Sequence, residues 1–356
     1  MDINELLVLT ITRKASDLHL VAGYVPTLRI NGSLHFMVTF PEISAGEIEK
    51  MVFSLLSPSQ KEKLVGNREL DFSTAYKDKN GEITRFRVNA YYQQNTLAVS
   101  FRLIPAHVPT IDELHLPSVI HEFAKLKQGF VLLTGPSGQG KSTTLSSIIS
   151  EINTTRMLNI VTIEDPIEYV YEKGKSLISQ REVEHDTLSF ARALKSILRE
   201  DPDVVYIGEM RDLESMTAAL TIAETGHLVF STLHTNNASQ TIDRIIDIFP
   251  PASRDQIRMQ LASVVAGIVA QRLLPASSGG RVPVCEILLG TSGVKNTIRE
   301  GKTFLLDNII QTSEDVGMIL FEKHLKMLVE QNIVSPEVAI ENALRPDVYE
   351  QLMGGR

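Results

Sequence analysis

The chain has 356 residues, of which 43% are hydrophobic and 22% charged, and that size and balance exclude a disordered chain and allow two or three packed domains. No apolar run reaches the roughly 20 residues needed to span a bilayer, and Met1-Asp2-Ile3-Asn4-Glu5 carries acids where an export signal carries positive charge, so the expected location is cytoplasmic. The formal net charge of −8 argues against a surface coated in nucleic acid, leaving a DNA-translocating ring with a local basic channel as a secondary reading; the single cysteine, Cys285, reads as a small buried side chain and rules out a disulfide or cysteine-rich zinc site within one chain.

Asp2 caps a first helix whose Ile3, Leu6, Leu7 and Leu9 follow helical spacing. A strand over Asp17–Val21 and a hairpin over Thr27–Phe36 come next, with Asn31-Gly32 as the turn. Ser44 with Glu47, and Ser57 with Gln60 around Pro58, have capping-box spacing and open two helices, the first running through Leu56. Two strands then close the region. Phe86, Val88 and Ala90 fall on one face, opposite Arg85, Arg87 and Asn89, while Leu97, Val99, Phe101 and Leu103 leave Arg102 on the opposite side. Taken alone, an arginine-lined strand face reads as solvated. Residues 1–104 therefore form a small α/β domain without nucleotide chemistry of its own.

Prolines 105, 109 and 117 mark a linker over 105–117, and the pattern changes behind it. Apolar strand-like runs at Phe130–Thr134, Leu158–Ile163, Val204–Ile207 and Leu228–Thr232 alternate with helices beginning near Lys141, Thr187, Asp212 and Asn237. Such alternation predicts a mostly parallel sheet covered on both faces. Beyond Arg281 the chain is read as further helices, ending in Met318–Asn332 and Ser335–Leu344.

Directly behind the first of those runs stands Gly135-Pro136-Ser137-Gly138-Gln139-Gly140-Lys141-Ser142-Thr143, a phosphate-binding P-loop between a buried strand and a helix. Glycines let the backbone wrap a phosphate, and the helix N-terminus adds partial positive charge. Lys141 would reach the β- and γ-phosphates and Ser142 would ligate Mg²⁺. Such sites need carboxylates at the ends of neighbouring strands to hold the metal and to polarise water. Glu164 and Asp165 in Glu164-Asp165-Pro166-Ile167-Glu168 are one candidate group, and Glu209 in Gly208-Glu209 is the other. Either motif taken alone also reads as an acidic helix cap. His227 and His234 flank the run Leu228–Thr232, where a histidine can sense the γ-phosphate or satisfy a structural bond.

Together, Gly135–Thr143, Glu164–Glu168, Asp201-Pro202-Asp203 leading into Gly208–Asp212, and Ala223–His234 resemble the secretion-ATPase superfamily and, within it, the retraction ATPases of type IV pili. The resemblance runs over nearly the whole chain, including Ser16–Leu20 and Arg85–Asn89. It implies an N-terminal PAS-like domain, a C-terminal RecA-like core over 118–356 with a helical part from about residue 290, and ATP and Mg²⁺ as cofactors. It further implies a homo-hexamer bound peripherally at the inner membrane to a pilus platform protein. Glu164–Glu168 matches the aspartate box, Gly208-Glu209 the Walker B motif, and His227 and His234 the histidine box. Arg87 and Arg102, with Arg85 adjacent, match arginines sent toward nucleotide, which changes the reading of that strand face. Lys195 and Arg199, four apart on one helical face, match further basic positions, with Lys195 standing where an arginine is common.

Two departures refine the resemblance. Extension and type II secretion ATPases carry a four-cysteine zinc insertion that one cysteine cannot build, which favours retraction. The retraction signature Ala-Ile-Arg-Asn-Leu-Ile-Arg-Glu appears here as Gly293-Val294-Lys295-Asn296-Thr297-Ile298-Arg299-Glu300, where Gly costs up to about 1 kcal/mol of helix propensity relative to Ala. The expected activity is ATP hydrolysis driving retraction, with Glu164 polarising water and Glu209 supporting the metal, roles that exchange without violating any spacing. A nucleotide-gated accessory module is the alternative.

Overall fold

The computed structural model describes residues 2–30, 32–77, 83–104, 107–210 and 212–354. The chain divides into two units, Met1–His107 and Val108–Arg356.

In the first unit α1 (Ile3–Thr12) starts at Asp2, whose carboxylate accepts from Asn4 N, and buries Ile3, Leu6, Leu7 and Thr10. Strands β1 (Asp17–Leu20), β2 (Thr27–Ile30) and β3 (Ser33–Phe36) follow. Ile30 pairs with Ser33, as a two-residue hairpin loop requires, although Asn31 itself lies outside the described residues. Both expected capping boxes are formed, at Ser44 before α2 (Ala45–Leu55) and at Ser57 before α3 (Pro58–Asn67).

Three strands close the unit where two were expected: β4 (Glu69–Lys77), β5 (Ile83–Gln93) and β6 (Thr96–Ile104). β4 is an edge strand that buries only Phe72, so it lacks the apolar alternation by which a strand is read. The antiparallel order is β3-β2-β1-β6-β5-β4. Its apolar face carries Phe86, Val88, Ala90, Val99 and Phe101 and shares one core with Leu6, Leu7, Ile48 and Val52 of α1 and α2. Phe86 and Phe101 meet edge to face at 6.5 Å. This is an α/β layer, as expected.

The second unit begins earlier than expected. Residues 108–117, read as linker, contribute Ile111 and Leu116 to its core, because burying those two side chains outweighs leaving a proline-rich segment in water. Pro105 and Ala106 of that linker lie outside the described residues. The elements are α4 (Ile120–Lys125), β7 (Gly129–Thr134), α5 (Lys141–Thr155), β8 (Asn159–Glu164), β9 (Leu177–Glu182), α6 (Phe190–Ile197), β10 (Val204–Ile207), α7 (Leu213–Glu224), β11 (Leu228–Leu233) and α8 (Ala238–Asp247). After them come α9 (Arg254–Val264), β12 (Val265–Pro275), β13 (Arg281–Leu289), α10 (Ser292–Arg299), α11 (Leu306–Thr312), α12 (Phe321–Glu330), α13 (Pro336–Asn342) and α14 (Pro346–Gly354).

The sheet order is β13-β12-β7-β11-β10-β8-β9, parallel throughout except for β13. Along β7, Phe130 and Leu132 face a core shared with α7 and α9, whereas Val131 and Leu133 face one shared with α4 and α5. Each fully buried side chain of this kind stabilises the sheet by about 1.5–3 kcal/mol. Arg281–Leu289 is a strand and not the start of the helical part. Its run Val282–Leu288 is buried throughout, and a short run buried on both faces has neither the two-residue nor the 3.6-residue period. This is a RecA-like core.

Candidate active site

Parallel strands deliver their carboxyl ends to one edge of the sheet, and the P-loop leaves that edge from β7. Gly135 has φ +141°, and a Cβ placed on it would stand 2.2 Å from the Gln271 carbonyl oxygen of β12, so only glycine fits. Gly138 and Gly140 have φ +75° and +77°, a left-handed alternation that turns successive N–H groups inward. Pro136, Ser137 and Gly138 form the exposed tip. Helix α5 starts behind Gly140 with no side-chain cap, whereas Ser189, Asp212 and Asn237 cap α6, α7 and α8. Its first-turn N–H groups are thus directed to the loop.

Lys141 is buried, and its Nζ donates to Gly135 O at 2.7 Å and Pro136 O at 2.9 Å. Burial lowers its pKa, opposed by the nearby charges of Glu209 and Glu168. Ser142, half-buried, faces the Tyr206 hydroxyl from β10, and Thr143 Oγ1 lies 3.2 Å from Tyr169 Oη.

The strand next to β7 is β11, which separates the P-loop strand from both carboxylate strands. The neighbouring position is therefore filled by His234, just past β11. Its Nε2 lies 2.9 Å from Glu209 Oε1, and its Nδ1 is 3.5 Å from Lys141 Nζ. Glu209 follows β10, at a bend set by Thr232 Oγ1 donating to Gly208 O at 2.6 Å. Arg211 of the same motif lies outside the described residues.

Glu164, the last residue of β8, is 2% exposed and accepts from Thr162 Oγ1 at 2.7 Å and Gln180 Nε2 at 3.1 Å. Desolvation pushes its pKa to about 7, and the Glu168 charge adds to the rise. Asp165 and Glu168 are exposed on the following loop. His227 precedes β11 and so sits at the amino end of the sheet, its Nδ1 3.0 Å from both Thr225 Oγ1 and Ile222 O. The two histidines are thus held at opposite ends of one strand.

Lys195 pairs with Glu214. Arg199 is exposed and does not share a helical face with it. α6 ends at Ile197 because Asn159 Nδ2 captures the carbonyls of Glu200 and Asp201, both at 2.8 Å, and Pro202 ends the run. In the first unit, Arg87 and Arg102 are cross-strand partners on β5 and β6. Arg102 Nε donates to Asp17 Oδ1 at 2.9 Å, while Arg85 is exposed one pleat away. Cys285 is buried, as expected, and its thiol is pushed up to about 12 by burial.

Sequence reasoning missed Gln271. It lies on β12, a strand absent from the reading, and is 1% exposed beside the P-loop. A lone glutamine in an apolar run was the only signal available.

A glycine cradle, a buried lysine and carboxylates at the carboxyl edge of a parallel sheet define a P-loop nucleotide-binding protein of the RecA-like class. The pattern of the Type II/IV secretion system protein family matches residues 2–335, and the chain belongs to that family. It is 42% identical over 349 residues to the type IV pilus retraction ATPase PilT of Pseudomonas aeruginosa, covering 98% of this chain and 100% of that protein. It is also 44% identical to a twitching motility protein of Neisseria gonorrhoeae, over 91% of this chain and 85% of that one. Among solved structures, the pilus retraction motor PilT with bound ADP matches with a TM-score of 0.91 at 42% identity, covering 99% of each chain.

Proposed function

We propose that this chain is an ATP-hydrolysing motor subunit that powers retraction of type IV pili. The observation that carries the reading is the joining of Lys141, His234 and Glu209 at the P-loop edge, in a chain that matches a retraction ATPase from end to end. The reaction is attack of water on the γ-phosphorus of ATP, giving ADP and phosphate.

The loop Gly135–Thr143 takes the phosphates on its N–H groups, and Lys141 exchanges its bonds to the Gly135 and Pro136 carbonyls for phosphate oxygens. Ser142, Glu209 and the exposed Asp165 are the residues that would hold Mg²⁺, whose charge neutralises the triphosphate. Glu164 orients and deprotonates the water, a task suited to a carboxylate that titrates near pH 7. His234 keeps Glu209 and Lys141 in register, and His227 couples the opposite end of β11 to a neighbouring subunit. Arg87 and Arg102, with Arg85 and Arg199 in support, serve the γ-phosphate across a subunit boundary in a homo-hexamer docked on an inner-membrane platform protein. Among the described residues, no helix is long and apolar enough to cross a membrane.

The altered retraction signature forms α10, where Val294 and Ile298 are buried while Gly293 and Thr297 are not. Gly293 and Thr297 therefore weaken helix propensity outside the core, while Val294 keeps an apolar side chain, one methylene shorter than Ile, at the buried position. Deletion in the source organism tests the role: hyperpiliated cells without twitching are expected, and bald cells would assign the protein to extension. Purified Lys141→Ala should have no turnover, and wild-type turnover in that variant would refute the catalytic reading. A wild type that binds ATP but hydrolyses none of it would support the accessory module instead.

A further inference from the structure

Three separate points of the P-loop are registered against one residue of another strand. The β7–β12 ladder ends with Thr134 opposite Ala270, so Gln271 follows on the strand beside Gly135. Its carbonyl oxygen stands where any side chain at residue 135 would have to go. Its side-chain amide then reaches under the loop. Nε2 donates to Gln139 O at 2.7 Å, and Oε1 accepts from Thr144 Oγ1 in the first turn of α5 at 2.8 Å. The same Nε2 is 3.0 Å from where a Cβ on Gly140 would sit. In return Gln139 Oε1 accepts from Leu273 N at 2.6 Å. The environment is closed: Gln271 is 1% exposed, and among the described residues the titratable group that meets its amide is the Cys285 thiol, which donates to Oε1 at 3.9 Å and is kept neutral by burial.

We propose that Gln271 is a positioning residue for nucleotide, holding Gly135, the Gln139–Gly140 peptide and Thr144 in the arrangement that cradles a diphosphate. The proposal rests on the P-loop reading given above. A carbonyl at residue 139 that is held from beneath cannot rotate toward the phosphates, so the loop N–H groups stay turned inward and little ordering is left for binding to cost. A buried amide is suited to this because it offers one donor and one acceptor in a fixed plane, here used by the loop and the helix respectively.

The test is calorimetric binding of ADP to the full-length chain. Gln271→Glu preserves size and the acceptor for Thr144, but when ionised it cannot donate to Gln139 O. Its ADP dissociation constant is expected to be roughly tenfold above wild type at about pH 8. The ratio should return to within about twofold near pH 5.5, where the buried carboxyl regains its proton and donates again. Gln271→Met, which adds no charge and so guards against a folding failure of the Glu variant, should be weaker at every pH. Wild-type ADP affinity in folded Gln271→Met, with only the melting temperature lowered, would reduce Gln271 to a packing residue and overturn the proposal. A wild type that binds no ADP would overturn the P-loop reading itself, and this proposal with it.

Discussion

His234 Nε2 stands 2.9 Å from Glu209 Oε1 while its Nδ1 stands 3.5 Å from Lys141 Nζ, so one imidazole spans from the Glu209 carboxylate to the lysine at the end of the glycine loop. If Glu209 holds the metal as proposed, His234→Ala should lower steady-state turnover by roughly 10- to 100-fold, the usual cost of losing a group that orients such a carboxylate. His227→Ala, at the other end of β11, should leave ADP affinity unchanged. Wild-type turnover in His234→Ala would show that the link at His234 has no particular role.

Glu164 titrates at about 7 in the folded chain, against 4.5 ordinarily. Below about pH 4.5 both folded and unfolded states hold the proton and the residue costs nothing. Between there and pH 7 only the unfolded state releases it, so stability falls as pH rises, by about 3 kcal/mol in all. Glu164→Gln should therefore gain stability relative to wild type across that window while losing hydrolysis. Denaturant unfolding at several pH values measures the first effect, and a flat difference would refute it. The wild-type rate should rise with pH through about 7.

Gly135→Ala should abolish ADP binding and destabilise the second unit by about 2–4 kcal/mol. It forces a Cβ against the Gln271 carbonyl at 2.2 Å and places a non-glycine residue at φ +141°. Gly138→Ala, at φ +75°, adds backbone strain but no clash, since nothing lies within 4 Å of its Cβ position, so its effect should be smaller and confined to the loop. Calorimetric binding alongside thermal unfolding separates the two variants.

Arg87→Ala and Arg102→Ala should reduce turnover by up to about 10³-fold while sparing ADP affinity within one subunit. Stability should change by less than about 1 kcal/mol for Arg87→Ala, and by about 1–3 kcal/mol for Arg102→Ala, because the buried Asp17 carboxylate keeps Ser16 Oγ but loses its charged partner. A variant with normal turnover would return these arginines to the role of a solvated strand face.

Arg345 lies between α13 and α14 and binds three carboxylates: Glu286 Oε2 at 2.9 Å, Asp307 Oδ2 at 2.8 Å and Glu322 Oε2 at 3.0 Å. Glu286 and Glu322 are fully buried, and burial raises the pKa of Glu286 in spite of the arginine. Arg345→Met would leave both without compensation and should cost about 3–5 kcal/mol. Replacing Glu286 and Glu322 by Gln in the same chain should recover part of it.

How much was legible varies by element. Capping boxes at Ser44 and Ser57 and caps at Asp2, Asp212 and Asn237 were readable because each is a local bond within three residues. The strand ends carrying Gly135, Glu164 and Glu209 were readable for a similar reason, since continuous apolar runs announce buried parallel strands. β4 and β13 were not. One is an edge with a single buried side chain, and the other is buried on both faces.

The sequence by itself determined the P-loop and which side chains could serve phosphate and metal, because those depend on residue type and short spacing. Only the tertiary structure decided what stands beside what. β11 inserts between β7 and β10 and brings His234 to Lys141, β12 places Gln271 under the loop, and Ile111 and Leu116 draw the supposed linker into the core. Strand order and long-range burial are set by summed packing over the whole sheet, and no local run of residues encodes that sum.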